Sequence, residues 1–157
     1  MYTQQASATN LLDMTLVRHA SAPSLARQAV RDCLGSAHPA LDLLMTAISE
    51  LVTNAVVHAD RGTARRWVQV LLAERDAAFL RVSVIDPGTI GAAPHHIPMQ
   101  RTPQMTESGR GLAIIHQISS GRWGDHLIPG SQHRLVRCDL PASPTDDFLE
   151  RLYAIPE

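Results

Sequence analysis

The sequence has few cysteines, almost no net charge and no long apolar run, and each of these absences excludes a class of protein. Cys33 and Cys138 are isolated and form no C-x-x-C pair, so we expect two buried cytosolic thiols. The net charge of −1 gives no electrostatic reason to bind nucleic acid or an anionic membrane surface. The longest apolar stretches are far shorter than the ~20 residues that a membrane span needs.

The beginning of the chain, "MYTQQASATN", has neither a basic segment nor a long apolar segment of the kind found in secretion signals. We therefore expect a cytoplasmic protein. The length of 157 residues, with 45% apolar and 18% charged residues, suits one soluble domain. We predict a flexible N-terminal segment over residues 1–12 and a single domain over residues 13–157.

The pattern of apolar residues and turn residues predicts an α+β two-layer sandwich, with helices on one face of a mixed, mostly antiparallel sheet. The "DPG" at 86–88 is followed by a proline-rich stretch without periodicity, up to residue 108. The predicted elements are a strand (14–19), two helices (21–35 and 38–59), a hairpin (65–75 and 78–86, joined at Asp76-Ala77), a helix (111–120), a strand (134–141) and a terminal helix (145–155) capped by Thr145.

Within the second helix, "ISELVTNAVVHA" places Glu50, Asn54 and His58 four residues apart, hence on one face. One interpretation is a solvated stripe on an amphipathic helix. The other is the wall of a polar cavity, because an Asn inside an apolar helix is costly unless its amide is satisfied. An Asn oxygen is a suitable ligand for Mg²⁺, and a carboxylate one turn away could take a proton.

Asp86 and Gly88 follow an alternating strand in "VSVIDPG". Asp-Pro-Gly is ordinary turn chemistry, which is one interpretation. The other is a carboxylate at a strand end that accepts a hydrogen bond from an exocyclic amine, with a glycine that lets a flat base approach the backbone.

Gly109 and Gly111 in "ESGRGLAIIHQIS" precede or begin an apolar helix. They could form a simple entry turn. Alternatively, the N–H groups and positive dipole end of that helix form an anion site, with no Cβ atoms in the way of a phosphate.

The segments "SELVTNAVVHA", "VIDPG" and "ESGRGLAII", in this order, resemble the N, G1 and G2 boxes of the GHKL ATPase superfamily. With "RWG" after the last box, the chain is most similar to the anti-sigma-factor serine kinases of the RsbW and SpoIIAB type. The resemblance covers about residues 14–141 and implies the Bergerat fold, also called the histidine-kinase-like ATPase fold.

The resemblance implies a role for each matching residue. Glu50 matches the general base, or the carboxylate that orients water. Asn54 matches the Mg²⁺ ligand. Asp86 matches the aspartate that binds adenine, and Gly88 matches the glycine beneath the base.

Further matches concern the phosphates and the lid. Residues 89–108 match the ATP lid. His58 matches a position at which histidine is usual, where capping of the helix end and contact with the ligand both remain open. The phosphate-binding turn is matched by Gly109, Arg110, Gly111 and Leu112.

The function implied by the resemblance is that of a Mg-ATP-dependent serine/threonine protein kinase. Such a kinase phosphorylates an anti-sigma-factor antagonist and regulates a sigma factor, so its cofactors are ATP and Mg²⁺ and its partners are those two proteins. A homodimer is a further expectation, because relatives are often dimers. Direct contact with nucleic acid or a membrane is not expected.

Three departures from the family pattern support a second hypothesis. The second glycine of D-x-G-x-G is replaced by Ile90, and in the last strand His133 replaces a glycine. Leu135 replaces a threonine that in relatives helps to hold adenine. The alternative is therefore a binding module with the same fold that binds nucleotide poorly and acts by protein–protein contact.

Overall fold

The computed structural model describes residues 8–58, 66–88 and 107–154, except for the side chains of residue 58 and of residues 107–109. The elements are β1 (Ala8–Val17), α1 (Ala22–Leu34), α2 (Leu41–His58), β2 (Trp67–Arg75), β3 (Phe79–Asp86), α3 (Glu107–Ile118), β4 (Trp123–Leu127), β5 (Arg134–Pro141) and α4 (Asp146–Tyr153).

The five strands form one sheet in the order β1-β2-β3-β5-β4. Every pairing within the described ranges is antiparallel, so the parallel part of the expected mixed sheet is not found there. The helices pack on the face of the sheet that carries the apolar residues of alternate strand positions. The predicted α+β two-layer sandwich is therefore confirmed.

The core lies between the helices and that face of the sheet. Val82 in β3 and Val136 in β5 point into it from neighbouring strands, and Leu44 and Ile48 in α2 are fully buried. Burial of each such side chain contributes roughly 1.5–3 kcal/mol to folding. α2 packs against α1, α3, β2, β3 and β5, so it is the central helix of the fold.

Several local predictions are confirmed by backbone geometry. Asp76 and Ala77 both have φ of 55°, in the left-handed region that a tight hairpin turn uses. Thr145 precedes α4, and its side-chain oxygen accepts a hydrogen bond from the N–H of Phe148 at 3.2 Å.

Other boundaries differ from the predictions. β1 begins at Ala8, so residues 8–12 of the predicted flexible segment pair with β2. α3 begins at Glu107 instead of 111, and β4 was not predicted at all.

The two cysteines differ in exposure. Cys138 is buried as expected, but Cys33 is exposed on α1, where its thiol donates to the carbonyl of Leu11 at 3.4 Å.

No helix within the described ranges combines the length and the apolar character that a membrane span requires.

Candidate functional site

The middle of α2 meets the first turns of α3 at Gly111. A Cβ atom on Gly111 would lie 2.7 Å from Oε2 of Glu50 and 3.6 Å from both Oδ1 and Nδ2 of Asn54. The structure therefore brings three of the predicted residues together, and α3 approaches this closely because residue 111 has no side chain. Glu50 and Asn54 are both half-buried. The interpretation of a polar stripe exposed only to solvent does not fit this contact.

The glycine-rich segment lies inside α3 instead of preceding it. The first N–H groups of an α-helix have no acceptor within the helix, and in α3 these include the N–H groups of residues 107–109. Gly109 can therefore present its N–H group to an anion, whereas the N–H of Arg110, the fourth residue of the helix, is the first that bonds within it. Gly111 has no Cβ atom, so Glu50 and Asn54 can approach its backbone. The side chain of Leu112 is buried in the core.

Asp86 is the last residue of β3 and is only 4% exposed. Its side chain lies on the helix-covered face, in line with Val82 and Val84, which are also buried. Oδ1 accepts a hydrogen bond from the N–H of Gly88 at 2.7 Å. Because an ionised carboxylate has about four lone-pair positions, this bond leaves acceptor capacity for a second donor.

Gly88 has φ of 70°, and a Cβ atom there would overlap the carbonyl oxygen of Gln132. The connection between β4 and β5 thus passes directly against the backbone of residue 88. The structure gives a reason for glycine at this position that is independent of any ligand. The contact of a base with Gly88 remains a prediction.

An ion pair that the sequence did not predict lies beside Asp86. Arg134 in β5 is paired with Asp86 in the register of the sheet. The guanidinium of Arg134 donates to both oxygens of Asp125 in β4, Nε to Oδ1 at 2.9 Å and Nη2 to Oδ2 at 2.6 Å. The side chains of Arg134 and Asp125 are 22% and 13% exposed, so water screens this pair only partly.

The same register corrects the expectation that Leu135 takes the place of a threonine that helps to hold adenine. Leu135 is paired with Ile85, and successive residues of a strand point to opposite faces. Leu135 therefore lies on the face away from Asp86, and the side chain next to Asp86 is that of Arg134. The alternation of Val136, Cys138 and Leu140 in the core places Arg134 on the helix-covered face.

Burial raises the pKa of Asp86 above its ordinary value. The hydrogen bond from Gly88 and the positive charges of Arg134 and Arg18 oppose this rise, whereas the charge of Asp125 adds to it. A carboxyl group with a higher pKa in the folded state binds its proton more tightly there than in the unfolded chain. The stability of the fold therefore falls as the pH rises through the interval between the unfolded and folded values.

Two further predictions fall outside the described part of the chain. Residues 89–106 of the predicted lid are not described, and residues 107 and 108 form the beginning of α3. His58 is the last residue of α2, but its side chain is not described, so its role as a cap or ligand contact stays a prediction.

We expect Asp86→Asn to raise the melting temperature of the ligand-free protein at about pH 7. The amide oxygen can still accept from Gly88, and the cost of the buried charge is removed. At about pH 4, near the ordinary pKa of an Asp, the difference should shrink because less charge is present. The measurement is thermal unfolding at both pH values. Asp147→Asn, at a 76% exposed carboxylate, is the control and should change little. A lower melting temperature for Asp86→Asn at neutral pH would contradict the assigned cost of burial.

Comparison with known proteins places this geometry in a family. Residues 16–121 match the family described as the histidine kinase-like ATPase domain. No curated protein matches the chain. Among solved structures, the chain is similar to the RsbU and RsbW domains of Rv1364c from Mycobacterium tuberculosis, with 23% identity and a TM-score of 0.51. That likeness covers 82% of this chain and 31% of the other, so this chain spans about a third of its length.

The matched residues 16–121 contain Glu50, Asn54, Asp86 and Gly111, and they run from β1 to the end of α3. The likeness to the solved structure independently supports the fold. The chain belongs to the histidine kinase-like ATPase domain family.

Proposed function

We propose that this protein is a Mg-ATP-dependent serine/threonine protein kinase of the anti-sigma-factor type. It would phosphorylate an antagonist protein and, according to the state of that antagonist, bind or release a sigma factor. The observation that carries the proposal is the position of Glu50 and Asn54 against the backbone of Gly111, beside the N-terminus of α3. One space is then bordered by the proton acceptor Glu50, by the oxygen ligand Asn54 and by the N–H groups at the start of α3.

The residues at this place fit a magnesium-bound nucleotide. The missing Cβ of Gly111 leaves room next to Glu50 and Asn54, and amide and carboxylate oxygens are the donors that Mg²⁺ prefers. Within the described residues, no three His, Cys, Asp or Glu side chains form a metal cluster. Mg²⁺ on Asn54 would take its remaining ligands from phosphates and water, and would neutralise phosphate charge.

Different residues of the chain bind the base, bind the phosphates and accept the proton. Asp86 accepts a hydrogen bond from the exocyclic amine of adenine, and the N–H groups of residues 107–109 hold the phosphates. The hydroxyl oxygen of the substrate serine or threonine attacks the γ-phosphorus, while its proton passes to the carboxylate of Glu50. The bond between the γ-phosphorus and the β,γ-bridging oxygen breaks, and ADP leaves. Transfer of this kind depends mainly on positioning and charge neutralisation.

The protein substrate and the sigma factor enter the proposal through the family resemblance of the three boxes and through the RsbW domain in the similar structure. A cytoplasmic location and a homodimer belong to the same proposal.

A second candidate function is a binding module that holds nucleotide poorly. The observations that favour it lie at the base end of the site: the ion pair of Arg134 and Asp125 beside Asp86, and the contact of Gln132 with Gly88. A charged side chain beside Asp86 could occupy space that relatives leave to adenine and water.

A thermal-shift titration with Mg-ADP separates the two functions. A ligand at 100 times its Kd adds roughly 2.7 kcal/mol to stability, which corresponds to a rise of about 5–11 °C in a domain of this size. We expect such a rise with the wild-type protein and none with Asp86→Ala. No rise at millimolar Mg-ADP in the wild-type protein would favour the binding module.

Substitutions in α2 separate chemistry from binding. Glu50→Ala should stop phosphoryl transfer but leave Mg-ADP binding nearly unchanged, because it removes only the proton acceptor. Asn54→Ala should weaken both, because it removes the metal ligand. The measurements are Mg-ADP affinity by calorimetry and transfer from radiolabelled ATP to a co-purified antagonist. Thr53→Ala, at an exposed position between them, is the control. Transfer at the wild-type rate in Glu50→Ala would remove the assignment of the base.

Gly111→Ala tests the close approach of the two helices. The new methyl group would meet Oε2 of Glu50 at 2.7 Å and displace the carboxylate. We expect transfer to fall by about tenfold or more, as when a catalytic proton acceptor is misplaced. Folding should survive, because Ala in a helix is favoured over Gly by about 1 kcal/mol. The same transfer assay and a melting curve provide the two readouts. An unchanged rate would mean that Glu50 does not act from its position beside Gly111.

A further inference from the structure

The ion pair of Arg134 and Asp125 has no role in the mechanism proposed above, although it lies at the base end of the site. The pair is bidentate, with distances of 2.9 and 2.6 Å, and both side chains are largely buried. Removing two charges from water is costly, and a buried ion pair often stabilises a fold no better than apolar residues of similar volume. Stability of the fold is therefore not a sufficient reason for an ion pair at this position.

Its placement relative to Asp86 suggests that explanation. Residues that are paired across two antiparallel strands place their side chains on the same face, about 5 Å apart at the Cβ atoms. Arg134 is the partner of Asp86 in this sense. A positive charge at such a distance favours the ionised form of a carboxyl group, whereas burial favours the neutral form. Burial nevertheless prevails in the pKa of Asp86, so Arg134 limits the rise.

Asp125 determines how Arg134 acts. A guanidinium next to a buried carboxylate would normally form hydrogen bonds with it and use its acceptor positions. Here the bonds from Nε and Nη2 of Arg134 go to Asp125 instead. The positive charge stays near Asp86, while among the described residues the carboxylate of Asp86 accepts one hydrogen bond, from the N–H of Gly88 to Oδ1.

We propose that Arg134, held by Asp125, is a positioning residue that keeps Asp86 an ionised, acceptor-only group and thereby makes the site prefer a purine with an amine at C6. An ionised carboxylate accepts from the C6 amine of adenine and repels the C6 carbonyl oxygen of hypoxanthine. A protonated carboxyl group can donate to that carbonyl, so the preference declines when Asp86 gains a proton. This inference rests on the proposed function, since it concerns the same nucleotide site.

The test measures the affinities of ADP and inosine diphosphate by calorimetry between about pH 4.5 and 8, an interval that begins near the ordinary pKa of an Asp. In Arg134→Met we expect the ADP preference to fall by about tenfold at the acidic end, which corresponds to a pKa higher by one unit, and to recover towards pH 8. Arg134→Lys keeps the charge and should retain most of the preference. Asp125→Asn frees the guanidinium to bind Asp86, so ADP affinity should fall at every pH.

The controls separate this role from a structural one. Arg151→Met removes a guanidinium from an exposed pair with Asp147 on α4 and should leave the preference and its pH profile unchanged. Arg134→Gln carries the same expectation as Arg134→Met if the methionine variant does not fold. An unchanged ADP preference at all pH values in Arg134→Met and Arg134→Gln would overturn the inference alone. Failure of the wild-type protein to bind ADP would overturn the proposed function, and this inference with it.

Discussion

The contact between α2 and α3 at Gly111 is the constraint on which the candidate site depends. α2 is apolar over most of its surface, and its polar residues Glu50 and Asn54 lie where α3 crosses it. A side chain at residue 111 would push the two helices apart or displace the carboxylate. The absence of one Cβ atom thus lets two polar side chains lie against the backbone of α3, next to the end of a helix at which anions are favoured.

The same helix connects the two ends of the site. α2 packs against β3 as well as against α3, so the strand that ends in Asp86 and the helix that follows the lid are both fixed to one rigid element. In the proposed function, Glu50 and Asn54 belong to the phosphate end of the site, and Asp86 belongs to the base end. The core side chains of α2 and β3 therefore determine the geometry of the site, although none of them has a chemical role in it.

The base end carries an electrostatic compromise. A buried carboxylate is costly, yet the proposed function needs Asp86 ionised, because only the ionised carboxylate is purely an acceptor of hydrogen bonds. In this chain the compromise involves four charged groups: Asp86, Arg134, Asp125 and Arg18, whose charges affect the pKa of Asp86 in opposite directions. The side chain beside Asp86 on the neighbouring strand is that of Arg134, and its guanidinium is held by Asp125 from β4.

The sequence by itself determined the local features of this protein. Apolar periodicity predicted the helices and the hairpin, spacing by four placed Glu50 and Asn54 on one face of α2, and the three boxes indicated the family. These features depend on residues close to one another in the chain, whose geometry follows from helix and strand periods. The boundary of α3 was missed because helical glycines within its first turns read as a loop.

Only the tertiary structure decided which distant residues meet. The register of β5 against β3 put Arg134, and not Leu135, beside Asp86, because a shift by one residue moves every side chain to the other face. The short strand β4, which has too few residues for a recognisable period, supplied Asp125. The packing of α3 on α2 placed Glu50 and Asn54 against the backbone of Gly111. Such contacts between elements are set by the filling of a common core and not by spacing along the chain.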